Sequence, residues 1–162
     1  KSFIYNEEDK RVILKDIEMI SKTKASGIVF GALKENLEID EELLKQVILK
    51  KKDLKLTFHR AFDRSNNIYQ SLEVLKNYDV ERILTSGGKD KAIDAIDDLR
   101  KINQLARNYG IKILVGSGIN LSNVDKFLEF DEVHIGSGVK FEQNNFNEID
   151  ESLMTRVLNI IK

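Results

Sequence analysis

Five short apolar runs alternate with longer stretches of helical spacing, and this alternation constrains the fold more than any other feature of the chain. The runs cover residues 27–31, 54–62, 82–87, 111–118 and 132–136, and each closes on glycine, serine or polar residues. They are brief, rich in β-branched residues and apolar on successive positions, which suits strands covered on both faces. Between them, residues 7–22 place Val12, Ile13, Ile17 and Ile20 at helical spacing behind the cap Asn6. Residues 41–51 follow Asp40 and carry Leu43, Leu44, Val47 and Ile48 as one stripe. Residues 67–77 hold Ile68, Leu72 and Leu75, and residues 89–108 hold Ile93, Ile96, Leu99, Ile102 and Leu105 before Gly110. Ser122 is placed to cap a short helix with Val124, Phe127 and Leu128, and a last helix falls at 150–161.

Strand and helix in strict alternation imply parallel strands joined by right-handed crossovers. Units of about 25–30 residues are those of a TIM-type (β/α) barrel, which has eight strands. The expected fold class is therefore α/β, a TIM-type barrel whose first strands are missing from this chain. Residues 1–162 would form one domain, the last five strands of such a barrel. An open parallel α/β sheet uses the same alternation and is the alternative. Unpaired strand edges favour pairing with another chain, so a homo-oligomer is expected as a partner state.

Composition narrows the function classes. The 26 basic and 27 acidic residues leave a net charge of −1 with no field of one sign. That speaks against nucleic acid and against an anionic membrane surface as partners. No apolar stretch approaches the roughly 20 residues of a membrane span. The opening residues, Lys1 to Glu8, turn acidic early and lack a signal-peptide core, so a cytoplasmic location is expected. There is no cysteine, which removes disulfides and any thiolate metal site built from this chain alone.

One run is specific. Leu56-Thr57-Phe58-His59-Arg60-Ala61-Phe62-Asp63 closely resembles a motif of the CutC family. Three further stretches agree in order: Gly27-Ile28-Val29-Phe30-Gly31-Ala32-Leu33, Arg82-Ile83-Leu84-Thr85-Ser86-Gly87-Gly88 and Glu132-Val133-His134. The resemblance covers the chain but only the rear of the family's barrel. It implies cytoplasmic copper homeostasis on a TIM-barrel fold, with copper ion as the expected cofactor or cargo; it implies no reaction.

In a barrel the strand C-terminal ends form the working face. The catalytic candidates there are His59, Arg60, Asp63, Thr85 and His134. The two histidines are also the metal candidates, since imidazole moves protons near neutral pH and ligates borderline ions. Each can equally be a neutral, hydrogen-bonded core residue. Arg60 offers a fork of donors to an anion, or an ion pair to Asp63. Ser86 and Gly87, Gly116-Ser117-Gly118 and Gly136-Ser137-Gly138 are candidates for binding a phosphate or other small anion through backbone N–H groups. Tight turns alone explain such glycines as well. Copper(I) prefers sulfur, and Met19 and Met154, expected in helix cores, are the only sulfur atoms. Two functions stay open on this reading: copper binding or trafficking, and an enzyme acting on a small anionic or phosphorylated metabolite.

Overall fold

The structure, a computed structural model, describes residues 3–162. Helix α1 (Glu7–Ile20) starts at Asn6, whose side chain accepts from Asp9 N at 2.8 Å while the Asp9 carboxylate faces Asn6 N at 3.4 Å. That reciprocal cap satisfies two otherwise orphaned donors. Strand β1 (Gly27–Phe30), helix α2 (Glu41–Lys51) and strand β2 (Lys55–Phe58) follow. Asp40 begins α2 by accepting from Leu43 N at 3.0 Å, and it also meets Lys10 Nζ at 3.3 Å. One buried carboxylate thus caps α2 and ties it to α1. Next come α3 (Ile68–Leu75), β3 (Arg82–Thr85), α4 (Ile96–Asn108), β4 (Lys112–Gly116), β5 (Glu132–His134) and α5 (Glu151–Ile161).

All four strand pairings are parallel, in the order β1-β2-β3-β4-β5. A doubly wound sheet reverses its strand order at a switch point. No reversal occurs among the described residues, so the chain is an α/β barrel segment of the TIM type, not closed on itself. Register and burial separate the two faces. Ile28, Phe30, Leu56, Phe58, Ile83, Ile113 and Val115 turn toward the helices and form the core. The opposite face, which a barrel turns inward, carries Val29, Thr57, Arg82, Leu84, Leu114 and Glu132. Near the strand N-terminal ends it holds a charged ladder. Glu81 meets Lys55 at 3.2 Å and Arg82 at 3.1 Å, and Arg82 meets Glu132 at 3.0 Å.

Local structure departs from the sequence reading in three places. The apolar run 54–62 is strand only to Phe58, because Ala61 N turns back to His59 Nδ1 and Phe62 enters a 3-10 turn. The helix expected from residue 89 begins as a separate 3-10 turn, Ala92–Ala95, since Ala92 N donates to Ser117 O at 3.0 Å. Ser122 does not cap an α-helix. Its hydroxyl donates to Asn120 Oδ1 at 2.7 Å, and only a 3-10 turn, Val124–Phe127, forms. Among the described residues no helix is long and apolar enough to cross a membrane.

Candidate functional site: the pocket beside Arg60

Asp63 is the centre of the loops that follow β2 and β3. Its side chain is 2% exposed and accepts from groups on four residues. Thr85 Oγ1 donates at 2.5 Å, Ser86 N at 3.0 Å, Gly88 N at 3.0 Å and Arg60 Nε at 2.7 Å. Charge-assisted bonds of this kind are stronger than neutral ones. Arg60 Nη2 is fixed in turn, at 2.6 Å from Ser86 Oγ and 3.1 Å from Lys89 O. Among the described residues, Nη1 is left without a protein partner. Both readings of Arg60 therefore meet in one geometry, because the ion pair to Asp63 is what aims the rest of the guanidinium.

That arrangement reassigns three candidates. Thr85 and Ser86 are fully buried and Gly87 is buried with them. Their donors are spent on the Asp63 carboxylate and, for Gly87 N, on Thr85 Oγ1 at 2.9 Å. The anion held by the β3 turn is the protein's own. These residues are scaffold beneath the surface, and they do not line a ligand cavity.

The cavity lies next to them, with a volume of about 270 Å³. Arg60, Ser117, Gly118, His134, Gly136, Ser137 and Gly138 line it, and no carboxylate does. The structure thus brings together candidates from the loops after β2, β4 and β5. Gly116 lies below the cavity, where a Cβ would stand 2.8 Å from Leu84 Cδ1. Ser117 adopts a left-handed backbone, φ +85°, which costs a non-glycine residue free energy and marks a position held by its surroundings. Its hydroxyl donates to Asp90 O at 2.6 Å and is committed to the loop after β3. In the turn after β5, Gly136, Ser137 and Gly138 donate no backbone hydrogen bond to a turn or loop among the described residues.

His59 belongs elsewhere. Its Nδ1 accepts from Ala61 N at 3.2 Å, and its ring lies 4.7 Å from that of Phe3. Burial pulls its pKa below the ordinary histidine value. An accepting Nδ1 and a depressed pKa both describe a neutral ring. It lines a different cavity, of about 450 Å³, together with Tyr5, Asp16 and the whole of β1. The expectation that His59 and His134 face one cavity is therefore corrected: His134 is exposed at the end of β5, three strand positions away from β2.

Copper does not fit these residues. Among the described residues no group of three or more His, Cys, Asp or Glu side chains could hold a metal ion. Met19 and Met154 are not in the core, being 58% and 37% exposed on α1 and α5. A soft cuprous ion would find neither thiolate nor clustered thioether.

Two contributors escaped the sequence reading. The Lys91 side chain lies over Gly118, with Cγ 3.0 Å from where a Cβ would stand. Asn145, from the loop after β5, completes the cavity wall. The order Gly88-Lys89-Asp90-Lys91 hinted at a basic loop, whereas nothing local to Asn145 marks it.

Comparison with known proteins places the chain in a family. The model of the CutC family matches residues 1–139. A family protein CutC from Histophilus somni is 36% identical over 146 residues, covering 88% of this chain and 59% of its own length. The Caenorhabditis elegans protein named copper homeostasis protein cutC homolog is 32% identical, covering 82% of this chain and 52% of its own length. The crystal structure of CutC from Streptococcus agalactiae superposes with a TM-score of 0.77 at 27% identity, covering 83% of this chain and 67% of that one. The chain thus spans about half the length of the curated relatives it matches.

Proposed function

The chain belongs to the CutC family, and on that premise we propose that its pocket beside Arg60 binds a small oxyanion. The observation that carries this reading is Arg60 itself. The buried Asp63 carboxylate fixes its Nε, Ser86 Oγ and Lys89 O fix its Nη2, and it borders a cavity that no carboxylate lines. A guanidinium held in advance loses little entropy on binding, and Nη1 keeps two N–H donors to offer to carboxylate or phosphate oxygens. The formal charge of Arg60 is offset by Asp63, so selectivity rests on directed N–H donors more than on net field.

The wider role in this reading is copper homeostasis, the role named for the C. elegans relative, carried out in the cytoplasm. This segment would serve it by ligand capture and not by holding copper(I) on its own side chains. His134, exposed in the same cavity, stands where it could exchange a proton with a bound ligand.

Calorimetric titration with inorganic phosphate and with sulfate tests the site. Binding that weakens about tenfold or more in Arg60→Gln is expected, the usual scale for one charge-assisted contact. Equal binding by the parent and by Arg60→Gln would refute the assignment.

A further inference from the structure

The loop of residues 140–150 lies beyond the 1–139 stretch matched by the family model, yet it closes the pocket. It is a built element. Lys140 pairs with Ile149 as an antiparallel bridge, Phe141 N donates to Glu148 O at 3.1 Å and Asp150 N to Val139 O at 2.9 Å. Lys140 Nζ reaches across to Asn145 O at 2.7 Å. Asn120 Nδ2 donates to Gln143 Oε1 at 3.0 Å, which fastens the loop to the residues after β4. Glu142 and Gln143 both adopt left-handed backbones, φ +53° and +51°, so the turn is held against local preference. The loop thereby places Asn145 on the cavity wall, and the side-chain amide makes no hydrogen bond among the described residues.

The two ends of the pocket therefore differ in chemistry. At one end, Arg60 is anchored over the loop after β3 through Ser86 and Lys89. At the other, Asn145 follows β5. Both residues line the one cavity, which they reach from separate loops, after β2 and after β5. Asn145 offers one acceptor and two donors, the complement of a hydroxyl, carbonyl or amide.

We infer that the pocket takes a small extended metabolite with an oxyanion at one end and an uncharged hydrogen-bonding group at the other, and that Asn145 is the specificity-determining residue for that second group. The inference rests on the oxyanion reading of Arg60. A cavity of about 270 Å³ is sized for a metabolite and falls below the usual range for drug-sized ligands.

The test compares inorganic phosphate with two short phosphate esters on the full chain, glycerol 3-phosphate, which ends in a hydroxyl, and erythrose 4-phosphate, which ends in an aldehyde carbonyl. Parent, Arg60→Gln and Asn145→Ala proteins are titrated by calorimetry, with circular dichroism to confirm that each is folded. An ester bound more tightly than phosphate is expected in the parent. Asn145→Ala should remove that advantage, with a roughly five- to tenfold loss for the ester, and leave phosphate unchanged. Arg60→Gln should weaken both. Ester and phosphate affected alike by Asn145→Ala, or an ester no tighter than phosphate in the parent, would overturn the inference while the anion site stood. Failure of phosphate and both esters to bind the parent would overturn the anion site and the inference together.

Discussion

Asp63 Oδ2 accepts from Arg60 Nε at 2.7 Å while Oδ1 accepts from Thr85 Oγ1 and from Gly88 N. A single buried carboxylate thus joins the loop after β2 to the turn after β3. Replacing Asp63 by Asn keeps the shape and puts an amide N–H₂ where an acceptor is needed. Breaking a buried pair of this kind costs about 3–5 kcal/mol, because the remaining partners are left unpaired. Urea unfolding of Asp63→Asn should show a loss on that scale. A change under about 1 kcal/mol would mean that the donors find other partners.

His59 gives the fold a pH dependence of known sign. Its pKa is lowered in the folded chain, so near and below the ordinary histidine value of 6.5 the unfolded chain binds the extra proton. This contribution to stability is fully present above that value. It declines as pH falls toward the lower folded value, and changes no further below it. Urea midpoints between pH 7.5 and 5 should fall more steeply in the parent than in His59→Gln; parallel slopes would contradict the burial of a neutral ring.

Gly138 is where the turn after β5 rests on the turn after β4. A Cβ there would stand 2.0 Å from Ile119 O, a backbone atom that cannot swing aside. Gly138→Ala should cost about 3 kcal/mol, the upper part of the overpacking range. Because the same turn lines the pocket, phosphate binding should weaken in the same protein. Thermal unfolding and calorimetry together check both.

Copper(I) provides an independent check. With the two histidines in separate cavities and both methionine side chains exposed, the chain offers no converging soft ligands. A chromogenic chelator should strip copper(I) equally well from the parent and from the His59→Ala, His134→Ala double variant. A tighter parent would show a copper site made by this chain.

The architecture was legible because its signals are local. Asp40 and Asn6 cap helices by side-chain bonds to residues three positions on, and the β-branched runs mark strands by composition. The fate of the polar residues was not legible, because it depends on partners distant in sequence. Thr85 and Ser86 look like ligand donors until Asp63, more than twenty residues earlier, is seen to occupy them. His59 looks like a mate for His134 until β3 and β4 are found between their strands. Arg60, Ser117 and the turn after β5 do share a cavity, since they follow strands β2, β4 and β5 on the same side of one sheet. Asn145 could not have been found, because the loop that carries it is held by contacts and not by a motif.

Strand order that repeats sequence order has a kinetic corollary. Every ladder closes between neighbours along the chain, so no hydrogen-bonded partner has to wait for a remote segment to be made. Each βα unit can settle onto the one already formed as synthesis proceeds, and the slow step of each addition is closing a parallel pair across its crossover. Assembly then resembles the lengthening of a stack of repeats, growing one layer at a time from either finished layer.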